Sequence, residues 1–126
     1  MLWNETYETG NAQVDNEHRE IFRLVQNVMD ASASEEEAKV EEAIDSLASY
    51  TVTHFRNEEK LMEESNYPDM PIHKKQHHDF VLEVLALRER GGEASSQDIK
   101  KIIVNWLADH VLGSDKIMAN YCHKFS

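Results

Sequence analysis

The sequence contains little of what builds disulfide-linked or turn-rich proteins. Its 126 residues include one cysteine, two prolines and four glycines, and aromatic residues make up 8%. The single cysteine, Cys122, excludes an internal disulfide and is typical of a reducing compartment. The scarcity of glycine and proline disfavours an all-β fold, which needs many turns. We therefore expect an all-α protein in the cytoplasm.

Positive charge and long apolar segments are also scarce. Lys and Arg number 13 against 24 Asp and Glu, so the formal net charge is −11. Because nucleic acid and anionic lipid bind cationic surfaces, we expect neither as a partner. No segment approaches the roughly 18 apolar residues that cross a membrane, and the first residues lack the regions of a secretory signal. A bound cation would suit this charge.

Helical periodicity is what the sequence does contain. Apolar residues recur at steps of three and four, which predicts helices at about 15–30, 35–64, 71–90 and 96–112, and a short segment at 114–124. Ser34 is the expected N-cap of the second helix, with Glu37 at the capping-box position. An extended arm, residues 1–13, should lay Trp3 and Tyr7 on the bundle. Short connections predict one domain, residues 1–126, folded as an antiparallel up-down-up-down four-helix bundle.

Histidine occupies the apolar stripe of every predicted helix. Burying an unpaired carboxylate or imidazole is unfavourable, so such groups must be hydrogen-bonded or bound to metal. Five buried imidazoles would destabilise so small a core unless they served a further role, such as binding metal. The pattern therefore predicts a metal centre, whose candidate ligands are His18, His54, Glu58, His73, His77, His110 and Asp115.

The spacing of these ligands is informative. His54 and Glu58, like His73 and His77, stand four residues apart and so share a helix face, and the turn-forming segment 65–69 lies between the two pairs. Asp115 lies five residues after His110, which on an ideal helix turns it roughly 140° away. Either the helix loosens near Gly113, or Asp115 reaches a different atom of the site.

The donor set limits the metal. Imidazole and carboxylate suit iron, zinc, manganese or copper, and the absence of thiolate from the stripes excludes a structural zinc of the cysteine type. Seven ligands suit two ions. Two six-coordinate ions that share two carboxylates and one solvent oxygen would leave one position open. A vacant position within an apolar wall favours reversible binding of a small diatomic molecule over turnover.

Short motifs follow one another over essentially the whole chain: Trp3-Asn4, Val14-Asp15-x-x-His18, His54-Phe55-x-x-Glu58-Glu59-x-x-Met62, Tyr67-Pro68, His73-x-x-x-His77 and Trp106-Leu107-x-x-His110-x-x-x-x-Asp115-Lys116. In these motifs the chain resembles the hemerythrin family, in particular the single-domain bacterial hemerythrins.

The resemblance implies a di-iron centre that binds dioxygen. Two iron ions per chain would be joined by an oxygen atom and bridged by Glu58 and Asp115. His73, His77 and His110 would bind one ion, and His18 and His54 the other. Dioxygen would bind end-on at the two-histidine iron, as a hydroperoxide. The implied oxygen-pocket residues are Ile21, Phe55, Trp106, Leu107 and Val111. The spacing from His110 to Asp115 is similar to the family's.

Three functions are compatible with such a centre. The first is oxygen storage, delivery or scavenging by a non-enzymatic protein, with a monomer favoured and any protein recipient of oxygen open. The second is an oxygen or redox sensor, which we expect to act through a partner because these 126 residues predict a single domain. The third is a di-iron oxidase or peroxidase, or a nitric oxide activity. Ferritin-like sites use Glu-x-x-His motifs, and this sequence has none.

Four further residues have expected roles outside the ligand set. Asp15 is either an N-cap or a residue that supports the metal ligands. His78 is expected at the surface, and Cys122 and His123 at a frayed terminus.

Overall fold

Four long helices make up most of the described part of the chain. The computed structural model describes residues 3–34, 36–90 and 96–125, with helices α1 (Ala12–Ser34), α2 (Glu37–Glu64), α3 (Met70–Arg90) and α4 (residues 96–125). The described ranges contain no strand. α1 packs on α2 and α4, and α3 packs on α2 and α4. The predicted all-α, up-down-up-down four-helix bundle is confirmed. No helix in these ranges is both long enough and apolar enough to cross a membrane.

The N-terminal arm packs on α1 as the aromatic residues predict. It contains a short 3₁₀ helix, Glu5–Tyr7. The rings of Trp3 and Tyr7 meet the ring of Phe22 edge-on, at centroid distances of 5.2 and 4.8 Å. The guanidinium of Arg19 lies 5.0 Å from the centroid of the Trp3 ring, a cation–π contact. The arm therefore covers one end of the α1 surface; Met1 and Leu2 lie outside the described residues.

α1 begins earlier than the predicted start at residue 15. The side-chain oxygen of Asn11 accepts a hydrogen bond from the backbone N–H of Val14 at 3.0 Å, so Asn11 caps the helix. Asp15 lies in the first turn and accepts bonds from the backbone N–H and hydroxyl of Thr9, at 2.8 and 2.7 Å. Asp15 therefore fixes the arm to α1, and of its two expected roles the N-cap is not observed, because Asn11 holds that position.

The junction of α1 and α2 also differs from the prediction. Ser34 is the last residue of α1, and its hydroxyl donates to the carbonyl of Ala31 at 2.7 Å. α2 begins at Glu37 with Glu36 as its cap, and no side chain closes that end. The prediction that Ser34 caps α2 is wrong, because Ser34 ends α1 and α2 begins three residues after it. Glu35, the predicted first residue of that helix, lies outside the described residues.

The turn between α2 and α3 ends one helix and starts the next. Asn66 adopts φ 53°, a left-handed conformation that asparagine tolerates. The N–H groups of Asn66 and Tyr67 donate to the carbonyls of Glu63 and Met62 at 3.2 and 2.9 Å. This Schellman motif closes α2, and α3 starts at Met70 with Pro71 in its first turn.

α4 continues past the point where the sequence predicts an end. α-Helical stretches at Ser96–Ile99, Asn105–Asp109 and Lys116–Phe125 alternate with π-helical stretches at Lys100–Val104 and His110–Asp115. A π-turn bonds residue i to i+5 and so absorbs an extra residue without breaking the helix. The segment predicted at 114–124 is helical, but it continues α4 without a break. Of the two alternatives for Asp115, the loosened helix around Gly113 is the observed one.

Two apolar clusters lie on opposite sides of the histidines along the long axis of the bundle. The larger one includes Ile21, Phe22, Val25, Ile44, Leu47, Phe80 and Ile103. The smaller one consists of Met62, Tyr67, Met118 and Cys122. Cys122 is 1% exposed, so the prediction of a frayed terminus there is wrong, whereas His123 is exposed as expected.

Candidate metal centre

All seven predicted ligands meet between the two apolar clusters. α1 contributes His18, α2 contributes His54 and Glu58, α3 contributes His73 and His77, and α4 contributes His110 and Asp115. Each is at most 5% exposed. Since the four helices carry these residues on their inward faces, the fold itself assembles the cluster.

Glu58 contacts four imidazoles with its two oxygens. Oε1 lies 3.0 Å from His77 Nε2 and 3.4 Å from His73 Nε2. Oε2 lies 2.8 Å from His54 Nε2 and 3.2 Å from His18 Nε2. The two oxygens of one carboxylate therefore face two different pairs of histidines.

Asp115 divides its contacts in a similar way. Oδ1 lies 3.0 Å from Nε2 of both His73 and His110. Oδ2 lies 2.9 Å from His18 Nε2. The π-helical stretch His110–Asp115 is what brings a residue five positions after His110 back to the same face.

Two overlapping sets of donors result. In one set the ligand atoms of His73, His77 and His110 and of both acids all lie within 4.8 Å of one another, and in the other those of His18, His54 and both acids do. Both acids belong to both sets. The cluster is therefore two donor groups that share two carboxylates, and it could hold metal.

The donor atoms are placed as the ligands of a cation would be. Nε2 of His54, His73, His77 and His110 are buried without a hydrogen-bond partner, although carboxylate oxygens lie close by. Two ligands at right angles, each about 2.1 Å from one ion, lie about 3 Å apart. The nitrogen–oxygen distances of 2.8 to 3.4 Å match that edge. A cation between these atoms would satisfy groups that are otherwise buried unpaired.

Without a cation, the cluster holds protons. Burial alone would lower the pKa of His18, His54 and His73, but their contacts with carboxylates outweigh it and raise the pKa values to about 9, 10 and 9. Burial alone would raise the pKa of Glu58 and Asp115, but the surrounding imidazoles lower both pKa values well below the usual range. Metal would take the place of these protons.

Comparison with known proteins gives the family. Residues 9–122 match the family described as "Hemerythrin HHE cation binding domain". The chain is 34% identical over 122 residues to a bacteriohemerythrin of Stenotrophomonas maltophilia, covering 95% of this chain and 80% of that protein. It is also 34% identical to a hemerythrin-like protein of Naegleria gruberi, over 90% of this chain and 86% of the relative. The chain belongs to the hemerythrin family.

Solved hemerythrin structures share the fold. A crystal structure of wild-type hemerythrin superimposes with a TM-score of 0.87 at 25% sequence identity, covering 97% of each chain. The likeness therefore extends over nearly the whole hemerythrin fold.

Two glutamates that sequence reasoning missed support the histidines of this hemerythrin domain. Glu17 Oε1 lies 2.6 Å from His54 Nδ1, and Asn57 donates to its other oxygen at 2.9 Å. Glu59 Oε2 lies 3.0 Å from His77 Nδ1. Bonds of this kind hold a ring so that Nε2 faces the centre. The signal in the sequence is weak, since each glutamate is only an acid adjacent to a predicted ligand.

Aromatic rings cover two of the histidines. Phe55 stacks on His77 with ring centroids 3.7 Å apart and planes 3° from parallel. Trp106 stacks on His110 at 4.4 Å and 13°. Ile21, Leu107 and Val111 are at most 2% exposed, whereas Trp106 is half-buried. All five predicted pocket residues are thus on the inside of the hemerythrin bundle or against its histidines, and their role as a dioxygen pocket stays a prediction.

Proposed function

We propose that this chain holds two iron ions and binds dioxygen reversibly, without catalytic turnover. The observation that carries the proposal is the division of contacts by Glu58 and Asp115, each of which turns one oxygen to the set containing His73 and the other to the set containing His18. Shared carboxylates suit two ions side by side better than one. Family membership favours iron among the metals that imidazole and carboxylate accept.

The two donor sets are unequal, which indicates where a ligand would enter. His73, His77 and His110 with the two acids offer five donors to one ion, whereas His18 and His54 with the same acids offer four to the other. An ion held by His18, His54 and the two acids would have fewer protein ligands and therefore more room for a further ligand. We therefore place dioxygen on the side of His18 and His54.

The chain surrounds this centre with groups that hold the ligands still and keep water away. Bound ferrous iron would supply the electrons that dioxygen takes up on binding and returns on release. Glu17 and Glu59 fix the rings of His54 and His77, and the proposed wall consists of Ile21, Phe55, Trp106, Leu107 and Val111. An apolar wall slows the entry of protons and water, which would otherwise make oxidation of the centre irreversible.

An anaerobic optical titration tests this function. The protein is loaded with iron, iron per chain is quantified, and the reduced sample is exposed to oxygen and then purged. We expect two irons per chain and a charge-transfer band that forms with oxygen and disappears on purging. A band that forms once and persists, or a loading of one iron per chain, would contradict reversible binding at a shared centre.

Truncating the wall at Leu107 is expected to shorten the lifetime of the oxygen-loaded protein. Leu107 is 2% exposed and lies one turn before His110 on α4. Leu107→Ala opens a cavity beside the centre, so the lifetime should fall about tenfold or more as solvent enters. The same change should lower the free energy of unfolding by about 2–5 kcal/mol. The decay of the optical band at fixed temperature measures the first effect.

Leu47→Ala is the matched control for this experiment. Leu47 is fully buried in the same apolar cluster but lies about two turns from His54 along α2. It should lose similar stability while keeping the lifetime of the oxygen-loaded protein. Equal lifetimes in the two variants would show that Leu107 does not shield the centre.

A further inference from the structure

An open groove of about 540 Å³ runs between α2 and α3 beside the metal centre. Its lining includes the half-buried apolar side chains of Val52 and Val81. Arg56, Lys74, Lys75 and His78 also line it, and all four are exposed. The groove therefore combines an apolar surface with a cationic rim.

The charge of this groove is opposite to that of the chain. Three permanent cations and one carboxylate, Glu59, line it, and a second carboxylate, Asp79, pairs with Lys75 at 2.7 Å. An excess of one positive charge remains, in a protein whose net charge is −11. A second open groove, of about 630 Å³ between α1 and α2, has Arg23 and Lys39 balanced by Asp30 and Glu42. Charges more than about 8 Å away are screened at physiological ionic strength, so the local excess decides which ions bind.

The cations of the groove are incompletely neutralised. Lys74 Nζ lies 4.0 Å from Glu59 Oε1, the limit of an ion pair. Lys75 pairs with Asp79 at 2.7 Å on the exposed side of α3. Arg56 takes part in none of the ion pairs found between residues of the described ranges. An anion placed in the groove would thus meet a free guanidinium and a weakly held ammonium.

The wall of the groove includes side chains of the metal centre itself. His77 and Phe55 both line it, and their rings are stacked at 3.7 Å. Lys74 approaches Glu59, and Glu59 contacts His77 Nδ1 at 3.0 Å through its other oxygen. His77 Nε2 faces Glu58 in the centre at 3.0 Å. Two side chains, Lys74 and Glu59, therefore connect the rim of the groove to His77, a proposed iron ligand.

We propose that this groove binds a small amphipathic anion, a carboxylate or sulfonate with an apolar body, and that its occupancy alters His77 through Lys74 and Glu59. The volume falls within the range of about 300–1,000 Å³ typical of small-molecule sites. Val52, Val81 and the methylene stems of the lysines fit the apolar body, and the cations fit the acid group. An anion that draws Lys74 away from Glu59 leaves that carboxylate a stronger acceptor for His77. The coupling to the centre rests on the proposed function, whereas the binding does not.

Binding is tested with the fluorescent probe 1-anilinonaphthalene-8-sulfonate, titrated into the folded protein with and without iron. We expect saturation at one probe per chain in both forms. Arg56→Glu with Lys75→Glu should raise the Kd at least about tenfold. Lys39→Glu, which reverses a charge at the balanced groove, should change it less than about twofold. An unchanged Kd in the double variant, or an equal loss in Lys39→Glu, would overturn the assignment to this groove.

Competition identifies the chemistry of the anion. Decanoate and benzoate both carry a carboxylate on an apolar body and should displace the probe, and the stronger competitor shows whether an alkyl or an aryl body fits better. Inorganic sulfate, which lacks an apolar body, should displace it only at far higher concentration. Displacement by sulfate as readily as by decanoate would reduce the groove to a plain anion site and overturn the amphipathic assignment.

Coupling is tested by the reduction potential and optical spectrum of the iron-loaded protein with the groove empty and saturated. We expect both to shift on saturation. Glu59→Gln should bind the probe at least as tightly as the wild type, because it removes the carboxylate that competes for Lys74, but it should lose the shift. A wild-type protein that binds the probe with no shift, or a Glu59→Gln variant that keeps the shift, would overturn the proposed route. Failure to load iron would instead contradict the proposed function and leave the binding result standing.

Discussion

Replacing Glu58 with alanine is expected to abolish metal binding and to destabilise the fold together. Glu58 contacts four imidazoles within 3.4 Å and is 1% exposed. Without it, both proposed ions lose a shared ligand. The remaining acid, Asp115, contacts His18, His73 and His110 but reaches neither His54 nor His77 within 4.0 Å. The proposed ligands lie in the core of the bundle, so the Glu58→Ala variant should lose both bound metal and folding stability.

The loss of stability should also be large in the metal-free protein. Removing one partner of a buried ion pair costs about 3–5 kcal/mol, because the other charge stays buried and uncompensated. Urea denaturation followed by circular dichroism measures this in metal-free samples, and metal analysis measures iron per chain. Glu63→Ala, an exposed position on the same helix, should keep two irons and nearly full stability.

Glu58→Gln removes the charge of the Glu58 side chain while keeping its volume, and so separates the two effects. The amide fills the same space but cannot replace a carboxylate between two cations, so iron should still be lost while packing is kept. If either Glu58 variant retained two irons per chain, the shared-ligand arrangement would be wrong.

Periodicity and ligand chemistry were sufficient to predict the bundle and the seven polar residues that meet inside it. His54 and Glu58 lie four residues apart on a regular α-helix, so sequence spacing translates directly into geometry. The same holds for His73 and His77 on α3. Where the helix is regular, sequence alone indicates which side chains share a face.

The features that the sequence did not predict arise where geometry departs from a regular helix or depends on tertiary contacts. The π-turns in α4 leave no signature in apolar spacing, so the spacing predicts an end near residue 112 where the helix in fact runs on into the C-terminal segment. Ser34 has the chemistry of an N-cap, yet its hydroxyl bonds back to Ala31. Glu17 bonds a histidine 37 positions away, and only the packing of α1 on α2 brings the two together.

The buried cluster also makes the stability of the metal-free protein depend strongly on pH. In the folded protein the pKa values of His18, His54 and His73 are raised to about 9, 10 and 9, against about 6.5 in the unfolded chain. Their contribution to stability is therefore complete below about pH 6.5 and is lost as pH rises through about 9 to 10. As pH rises across that window, the free energy of unfolding falls by about 1.4 kcal/mol per pH unit for each proton that the folded state binds in excess of the unfolded state.

The two carboxylates act at the other end of the pH scale. The pKa values of Glu58 and Asp115 are lowered in the folded protein, so their contribution is present above the unfolded value of about 4 and is lost as pH falls below it. The metal-free protein should therefore be most stable between about pH 5 and 6.5. Urea denaturation at pH 6, 7.5 and 9 measures the decline on the alkaline side.

Bound iron should oppose the fall in stability on the alkaline side, because its own contribution to the free energy of unfolding grows as pH rises. Metal binds imidazole only in its deprotonated form, so protons and iron compete for the same nitrogens and iron binds more tightly as pH rises. The difference in unfolding free energy between loaded and metal-free protein should then widen from pH 6 to pH 9. His123→Ala, at an exposed position, should leave both curves unchanged. A metal-free curve that is flat across this window would mean that the buried histidines are neutral in the folded protein.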